Sequence, residues 1–314
     1  MTNLHAEDPR RYPVVDLCRL FGKSKQGYYQ RDLNRPLAKA VEEDFALSYI
    51  KSIRAKDPGI GGKKIWHMYK RQFGEASPIG RERFERIIDR YGLKVRRRMR
   101  KPRTTDSTHG LPTYPNLVKD LIPTRANQIW VSDITYIPIW RSRSEYYFCY
   151  LSLIMDAYSE EIVGWSVGHS LETKYPLQAL DMALERLKSS ALQPGMLIHH
   201  SDRGVQYASE QYVSRLKSNR IVISMTQSGD PKDNPQAERI NNTMKNELLK
   251  DSHFTSIQQV RAAVDAAVLF YNDERPHMSI GMQTPSQAAL LTGERQKHWI
   301  SYRERYIKSS LGLV

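Results

Sequence analysis

NQIWVSDITYIPIW (127–140) is a run of Ile, Val, Trp and Tyr with a single carboxylate, Asp133, near its middle. β-Branched and aromatic residues at that density predict a strand. YYFCYLSLIMDAYS (146–159) has the same character, and EIVGWSVGHS (161–170) follows after a turn at Ser159-Glu160, so the three read as an antiparallel meander. TKYPLQALDMALERLKSS (173–190) then places Leu177, Leu180, Ala183, Leu184 and Leu187 on one helical face. MLIHHSD (196–202) reads as a short buried strand, SEQYVSRLKSNR (209–220) as a helix, IVISMTQ (221–227) as a strand, and NPQAERINNTMKNELLK (234–250) as a helix opened by Asn234 and Pro235. The order βββαβαβα predicts an α/β fold, a mixed sheet flanked by helices.

Upstream the pattern is helical and basic. PVVDLCRLFGKSKQGYYQRD (13–32) reads as a short helix ending at Gly22 and a second one capped by Ser24, the make-up of a helix-turn-helix. VEEDFALSYIKSIRAK (41–56) is a helix, DPGIGGKKIWHMYKRQFG (57–74) a Gly-rich turn entering a basic helix, and SPIGRERFERIIDRYGLKV (77–95) a helix with Ser77 as N-cap and Pro78 at its first position. KVRRRMRKPR (94–103) carries seven cations in ten residues. Such a run is either a solvated linker or a clamp on a DNA backbone, and its helical, basic neighbourhood favours the clamp. The expected division is a helical DNA-binding region over 1–110, a connector over 111–125, a catalytic core over 126–290 and a tail over 291–314.

Composition agrees. The chain has 314 residues and a formal charge of +14. Residues 1–110 hold 26 Lys/Arg against 13 Asp/Glu, a net of +13, which leaves 22 against 21, a net of +1, for the rest. An excess of that size points to a polyanion, most often nucleic acid. Cys18 and Cys149 lie far apart and make no metal-ligand spacing, which argues against a zinc site or a disulfide scaffold. No apolar run is long enough for a membrane span and the first residues lack a signal-peptide core, so a cytosolic protein is expected.

Three carboxylates stand out by position: Asp133 in the first strand, Asp202 at the end of the fourth, and Glu238 in the first turns of the last helix. If strands one and four are neighbours, the two aspartates meet. Asn242 and Lys245 lie four and seven residues beyond Glu238, near the same helical face, while Ile240, Met244 and Leu248 form the opposite, apolar stripe. Singly, each acid has an ordinary explanation: a turn acid, an ion pair of Asp202 with Arg203, a helix N-terminal carboxylate. Jointly they fit a phosphodiester site in which hard oxygen ligands hold two magnesium ions, or manganese in their place. Arg203 is then free to orient the loop or touch DNA. Asp156 competes for the first position, although a turn explains it as well. Of His199 and His200 at most one can face such a site, because adjacent strand residues point to opposite faces.

WVSDITYIP (130–138), HSDRGVQY (200–207), GDPKDNPQAER with MKNEL (229–248), and YNDERPH with TPSQA (271–288) together resemble a DDE transposase of the insertion-sequence-three family, the OrfB-type protein with a retroviral-integrase-like, RNase H-like core. GIGGKKIW (59–66) and 77–103 resemble the helical DNA-binding region that precedes that core. The resemblance covers nearly the whole chain and implies that Asp133, Asp202 and Glu238 are the catalytic, metal-holding acids and Lys245 the basic residue that follows them. Thirty-five residues separate Asp202 from Glu238, the spacing the family shows. Two departures stand out: SMTQS (224–228) lacks the basic residue relatives often carry there, and the chain has no long leucine heptad.

The activity so implied is metal-dependent cleavage at insertion-sequence ends, freeing a 3′ hydroxyl that attacks a second phosphodiester, with a circular intermediate. The expected partners are double-stranded DNA, in the form of terminal inverted repeats and target, a further copy of the chain, and an OrfA-type protein. The expected setting is the bacterial cytoplasm, at the nucleoid. Candidate DNA contacts are Lys63, Lys64, Arg96, Arg97, Arg98, Arg100, Lys101, Arg103, Arg203, Asn234, Asn242 and Lys245. The rival readings are an end-binding repressor with an inactive core and a nuclease acting on RNA–DNA hybrids. The intact acid set argues against the first, and the basic N-terminal region against the second.

Overall fold

A computed structural model describes residues 7, 11–29, 35–74, 79–95, 110–142, 145–188, 197–227, 234–295 and 302–312. The backbone divides into two compact units, Met1–Ser48 and Tyr49–Val314. That division falls well before residue 110, so the basic helices after Tyr49 belong to the same unit as the sheet.

In the first unit α1 (Val14–Leu20) and α2 (Lys25–Tyr29) form the expected helix pair. Between them Gly22 takes φ +61°, and Lys23 N–H closes on Cys18 O at 2.9 Å, a C-terminal motif that an L-residue enters only with strain. Ser24 Oγ accepts from Gly27 N–H at 2.9 Å, the cap read from sequence. α3 (Arg35–Lys56) starts earlier than expected and crosses the boundary.

In the second unit α4 (Gly62–Phe73) and α5 (Arg81–Arg90) pack through Ile65, Met68, Tyr69, Phe84, Ile87 and Ile88. α5 corrects the reading of its start: the helix begins at Arg81 with Gly80, in extended conformation, as its N-cap; Ser77 and Pro78 lie outside the described residues. Without a side-chain cap here, Gly80 supplies the extended backbone.

The sheet runs β3-β2-β1-β4-β5, formed by β1 (Ile129–Trp140), β2 (Tyr146–Asp156), β3 (Ile162–Gly168), β4 (Ile198–Ser201) and β5 (Val222–Met225). β1–β2–β3 is the antiparallel meander, and β4 and β5 join in parallel. One face is covered by α6 (Lys174–Leu187) and α8 (Glu210–Ser218), whose Ala179, Leu180, Ala183, Leu184, Tyr212 and Leu216 bury against Trp130, Ile154 and Val163. A single turn, α7 (Val205–Ala208), unread in the sequence, precedes α8.

On the other face lie α9 (Pro235–Thr243) and α10 (Ile257–Leu269), tied to the sheet by Arg261 to Val167 O (3.0 Å) and Asn272 to Ile162 O (3.0 Å). The helix expected over 234–250 is not uniform. α9 passes into a π-helical turn, Met244–Leu248, and α10 into another, Phe270–Glu274. Short turns at Met278–Ile280 and α11 (Pro285–Ala288, with a full capping box on Thr284 and Gln287) follow, and α12 (Tyr302–Ser310) comes last. No helix among the described residues is long and apolar enough to cross a membrane.

Candidate active site

β1 and β4 are parallel neighbours with Val131 opposite His200. Asp133 lies two residues beyond that last pair on β1, and Asp202 two residues beyond it, just past the end of β4. Asp133 is 9% exposed and Asp202 half-buried. The charge of Asp202 is met locally: its Oδ1 accepts the N–H of Gly204 at 2.9 Å, the turn that opens α7. Arg203 turns away, donating from Nε to Thr226 O at 2.7 Å and tying the end of β4 to the end of β5. Of its two expected roles, this is the orientation of the loop.

Glu238 is brought in by α9. Two asparagines hold that helix on β1: Asn234 Nδ2 donates to Ser132 O at 3.1 Å, and Asn241 Nδ2 donates to Asp133 Oδ2 at 2.6 Å. Glu238 lies four residues after the first and three before the second, on the face they share. Asn234 occupies the N-cap with Pro235 behind it, but its side chain reaches across to β1 and does not cap the helix. Asn241 was missed in the sequence, where Asn242 was taken as the polar partner; the seven-residue step from Asn234 to Asn241 was the available signal. Asn242 is exposed, and its Oδ1 accepts from Asn246 at 3.3 Å.

Electrostatics bear on the same grouping. The buried Tyr207 hydroxyl bonds to Ser132 Oγ at 2.9 Å, and its pKa is pushed well above the ordinary value by burial first, then by Tyr212 and by both Asp133 and Asp202. Both carboxylates are therefore within electrostatic reach of one hydroxyl. The histidines divide by face. His199 packs on Tyr207 and Tyr212, bonds to Tyr212 Oη at 3.0 Å, and is lowered to about 3 by burial, then by His200. His200 bonds to Ser224 Oγ at 2.9 Å beside a small cavity that Asn234 and Gln236 also line. Asp156 is a turn acid: Oδ1 accepts from Tyr158 N, Ser159 N and Ser159 Oγ, and Oδ2 from Asn127 N.

Among the described residues no three His, Cys, Asp or Glu side chains are grouped so as to hold a metal as they stand. Asp133 is turned to Asn241 and Asp202 to Gly204, so gathering the carboxylates on one ion requires side-chain rotation. The donor chemistry nevertheless fits a hard divalent cation. Three carboxylates share one end of the sheet, and Asn234 Oδ1 and Asn241 Oδ1, on either side of Glu238, are buried without a hydrogen-bond partner among the described residues.

Lys245 sits in the π-helical turn with Nζ 4.1 Å from the centroid of Tyr136 on β1. The widened turn shifts it from the simple seven-residue alignment with Glu238. Behind that turn lies an ionic cluster: Arg275 joins Asp57 (3.3 Å) and Glu247, and donates to His277 Nε2 (3.1 Å), whose Nδ1 in turn faces Glu160 Oε2 (3.2 Å). Burial raises the Glu160 carboxyl, but the His277 hydrogen bond and charge bring it down to about 2. Lys64 belongs to this cluster, 3.9 Å from Glu247 and lowered to about 8 by burial and then by Arg275, whereas Lys63 is exposed. Arg96, Arg97, Arg98, Arg100, Lys101 and Arg103 lie outside the described residues.

Comparison with known proteins places this architecture. A family model described as "Integrase core domain" matches residues 123–231, and a second of the same description matches 219–285. The transposase for insertion sequence element IS629 of Shigella sonnei is 30% identical over 284 residues, 88% of this chain and 92% of that one. A putative transposase for IS986/IS6110 of Mycobacterium tuberculosis (strain CDC 1551 / Oshkosh) is 30% identical over 275 residues, 86% and 96% of the two chains. Transposase InsF for insertion sequence IS3A of Escherichia coli K12 is 32% identical over 202 residues, 64% and 67%. Among solved structures, the HTLV-2 integrase catalytic core domain covers 52% of this chain and 97% of its own at a TM-score of 0.40 and 19% identity. With an integrase core spanning its sheet and transposase relatives alike over most of its length, the chain belongs to the insertion-sequence-three family of DDE transposases, polynucleotidyl transferases with an RNase H-like core.

Proposed function

We propose that Asp133, Asp202 and Glu238 are the acids with which this transposase cuts and joins insertion-sequence ends. The observation that supports this reading is one aspartate on β1 and another just past the end of the adjoining parallel β4, each two residues beyond the last cross-strand pair, with a glutamate on the helix face that Asn234 and Asn241 pin to β1. Magnesium, or manganese, held by these carboxylates as a pair of ions would lower the pKa of the attacking water and stabilise the leaving oxygen of an in-line displacement.

The protein's own groups do the rest. Asn241 donates to one oxygen of Asp133 and so sets the orientation of its carboxylate. Asn234 Oδ1 and Asn241 Oδ1 would accept hydrogen bonds that orient a nucleophilic water or hydroxyl, whose proton passes to solvent while the leaving 3′ oxygen takes one up. In the first reaction water attacks a phosphodiester, the P–O3′ bond breaks, and the element's end keeps a 3′ hydroxyl. In the second that hydroxyl attacks another phosphodiester and releases a new 3′ hydroxyl, so the number of ester bonds is conserved. The opposite end of the same element, giving a circle, is the first target in this scheme.

Terminal repeats and target are double-stranded DNA, and two ends held together require at least two copies of the chain. Lys63, Asn242 and Lys245 would contact the backbone, together with the run Arg96, Arg97, Arg98, Arg100, Lys101 and Arg103. The helical segment over 1–110 would supply end recognition, with or without an OrfA-type protein, in the bacterial cytoplasm.

The test is magnesium-dependent nicking and joining of labelled DNA carrying the sequences that flank the reading frame, comparing the natural chain with Glu238→Gln. Products from the natural chain and none from the variant are expected. Products from both would remove Glu238 from the machinery. End binding without products from either, even with the protein of the upstream frame added, would favour the repressor.

A further inference from the structure

β1 and β2 are 12 and 11 residues long, but β4 pairs with β1 only as far as Val131, and β3 with β2 only from Tyr150 onward. The outer part of the hairpin therefore extends past both neighbouring strands. Along it, residues of one parity share a face, and the cross-strand pairs Tyr136–Tyr150, Pro138–Phe148 and Trp140–Tyr146 stack that face with aromatic rings. The same face nearer the core is covered by α6 and α8 over Trp130 and Ile134. Further out Tyr136 is 44%, Tyr146 49% and Phe148 38% exposed.

The rings form one continuous surface. Tyr136 lies 4.9 Å from Phe148, Phe148 5.3 Å from Tyr146, and Tyr146 5.0 Å from Trp140, whose other neighbour is His253, stacked at 5.2 Å and 14°. Burial does not require so many exposed aromatics, and a soluble chain exposes a patch of this kind at a cost unless something covers it. One edge carries a cation, Lys245, whose Nζ stands 4.1 Å over Tyr136; Arg141 is paired with Glu145 and lies 5.1 Å from the Tyr147 ring on the reverse face. Asp133, three residues from Tyr136 and of the other parity, is on the opposite face of the sheet; the two faces meet at the β1 edge left open beyond Val131, where Lys245, from the turn that follows the Glu238 helix, reaches Tyr136.

We propose that this hairpin face is a stacking platform for unpaired bases of a DNA strand leaving the active site. Flat rings offer every base a π-face irrespective of sequence, and a base set on Phe148, beside Tyr136, brings its phosphate toward the Lys245 ammonium that covers Tyr136. A second copy of the chain would gain from the same rings but would have to bury the Lys245 ammonium, whereas a polyanion meets it with a phosphate. The charge at that edge thus selects a polyanion. The proposal rests on the transposase reading only in taking DNA as the ligand. It adds a binding surface to the acids and does not alter their role.

The experiment compares the natural chain with the double variant Tyr146→Ala/Phe148→Ala, both exposed positions. Its probes are a blunt duplex of the terminal sequence and the same duplex with a three-nucleotide single-stranded extension containing 2-aminopurine. The natural chain should bind the extended duplex more tightly and quench its fluorescence. The variant should lose the quenching and bind the extension about tenfold or more weakly, with blunt-duplex affinity and nicking unchanged. Equal preference for the extension in both proteins overturns the platform, as does a variant whose only change is a lower oligomeric state on gel filtration, the mark of a self-association surface. Failure of the natural chain to bind either duplex would overturn the DNA-end reading itself. Blunt-duplex binding without preference for the extension would remove the platform alone.

Discussion

Asn241 shows how much a single side chain can decide. Its Nδ2 donates to Asp133 at 2.6 Å, while its Oδ1 is buried with no partner among the described residues, so the amide is half spent on orientation and half left for the site. Leu matches its shape without either polar end. Asn241→Leu should therefore fold about as stably as the natural chain, since it removes an unsatisfied buried acceptor along with one hydrogen bond. It should nick about 10- to 100-fold more slowly, the usual loss when a residue orienting a ligand or catalytic carboxylate is removed. Single-turnover nicking rates, measured beside duplex affinity and urea midpoints, check this. A slow rate with weakened duplex binding would instead make Asn241 a DNA contact, and an unchanged rate would remove its positioning role. At the same scale, Asp202 Oδ1 accepts the backbone N–H of Gly204 while Arg203 Nε donates to Thr226 O, so each side chain of the expected ion pair has a backbone partner of its own.

Among the elements, the contact between the glycine turn and the π-helical turn has the narrowest tolerance. Gly59 N–H donates to Glu247 O at 3.0 Å, and a Cβ on Gly59 would stand 2.3 Å from Glu247 Cα. Backbone cannot yield as a side-chain tip does, so Gly59→Ala must push the 57–62 turn off the turn that carries Lys245, loosening the Asp57–Arg275–Glu247 cluster behind it. The expected cost is about 1–3 kcal/mol in urea unfolding, with slower nicking. Gly61→Ala, where a Cβ meets nothing within 4 Å, gives up an N-cap glycine but recovers about 0.4–1 kcal/mol of unfolded-chain entropy, and should cost about 0.5 kcal/mol or less. Equal losses in the two variants would remove the contact from the account. This contact also marks where legibility ended. The meander and the βββαβαβα order could be read because Ile, Val, Tyr and Trp runs and helical leucine spacing are local signals. The π-helical turns could not, since one extra residue in a helical turn leaves composition unchanged. Nor could the ionic cluster, whose Asp57, Glu160, Glu247 and Arg275 are joined only by tertiary packing. Lys64 was misjudged for that reason: its sequence neighbours are basic, while its spatial neighbours include Glu247 and Asp57.

Taken whole, the molecule keeps its excess cations in the first 110 residues and two uncharged histidines deep in the second unit. Burial, helped by His200, lowers His199 from 6.5 to about 3, and burial, with Arg275 and Lys64 against the opposing pull of Glu160, lowers His277 to about 4. Above pH 6.5 each is neutral in both the folded and unfolded chain and contributes no pH dependence. As the pH falls below 6.5 the unfolded chain takes up a proton on each while the folded chain does not, so unfolding is favoured, by at most about 1.4 kcal/mol per pH unit for each histidine. That loss continues until the folded residue itself titrates, near pH 4 for His277 and near pH 3 for His199. Buried carboxylates also titrate toward the acid end, which makes the difference between two chains more informative than either profile. In His199→Gln the amide can keep the bond to Tyr212 but has no proton to gain. Its stability at pH 7.5 should lie within about 2 kcal/mol of the natural chain, a cost of polar rearrangement in the core. Between pH 6.5 and 4.5 its urea midpoint should fall less steeply, the two profiles converging by up to about 1.4 kcal/mol per unit. Parallel profiles over that window would mean that His199 gains its proton in the folded state as readily as in the unfolded one, and that it is not sealed between Tyr207 and Tyr212.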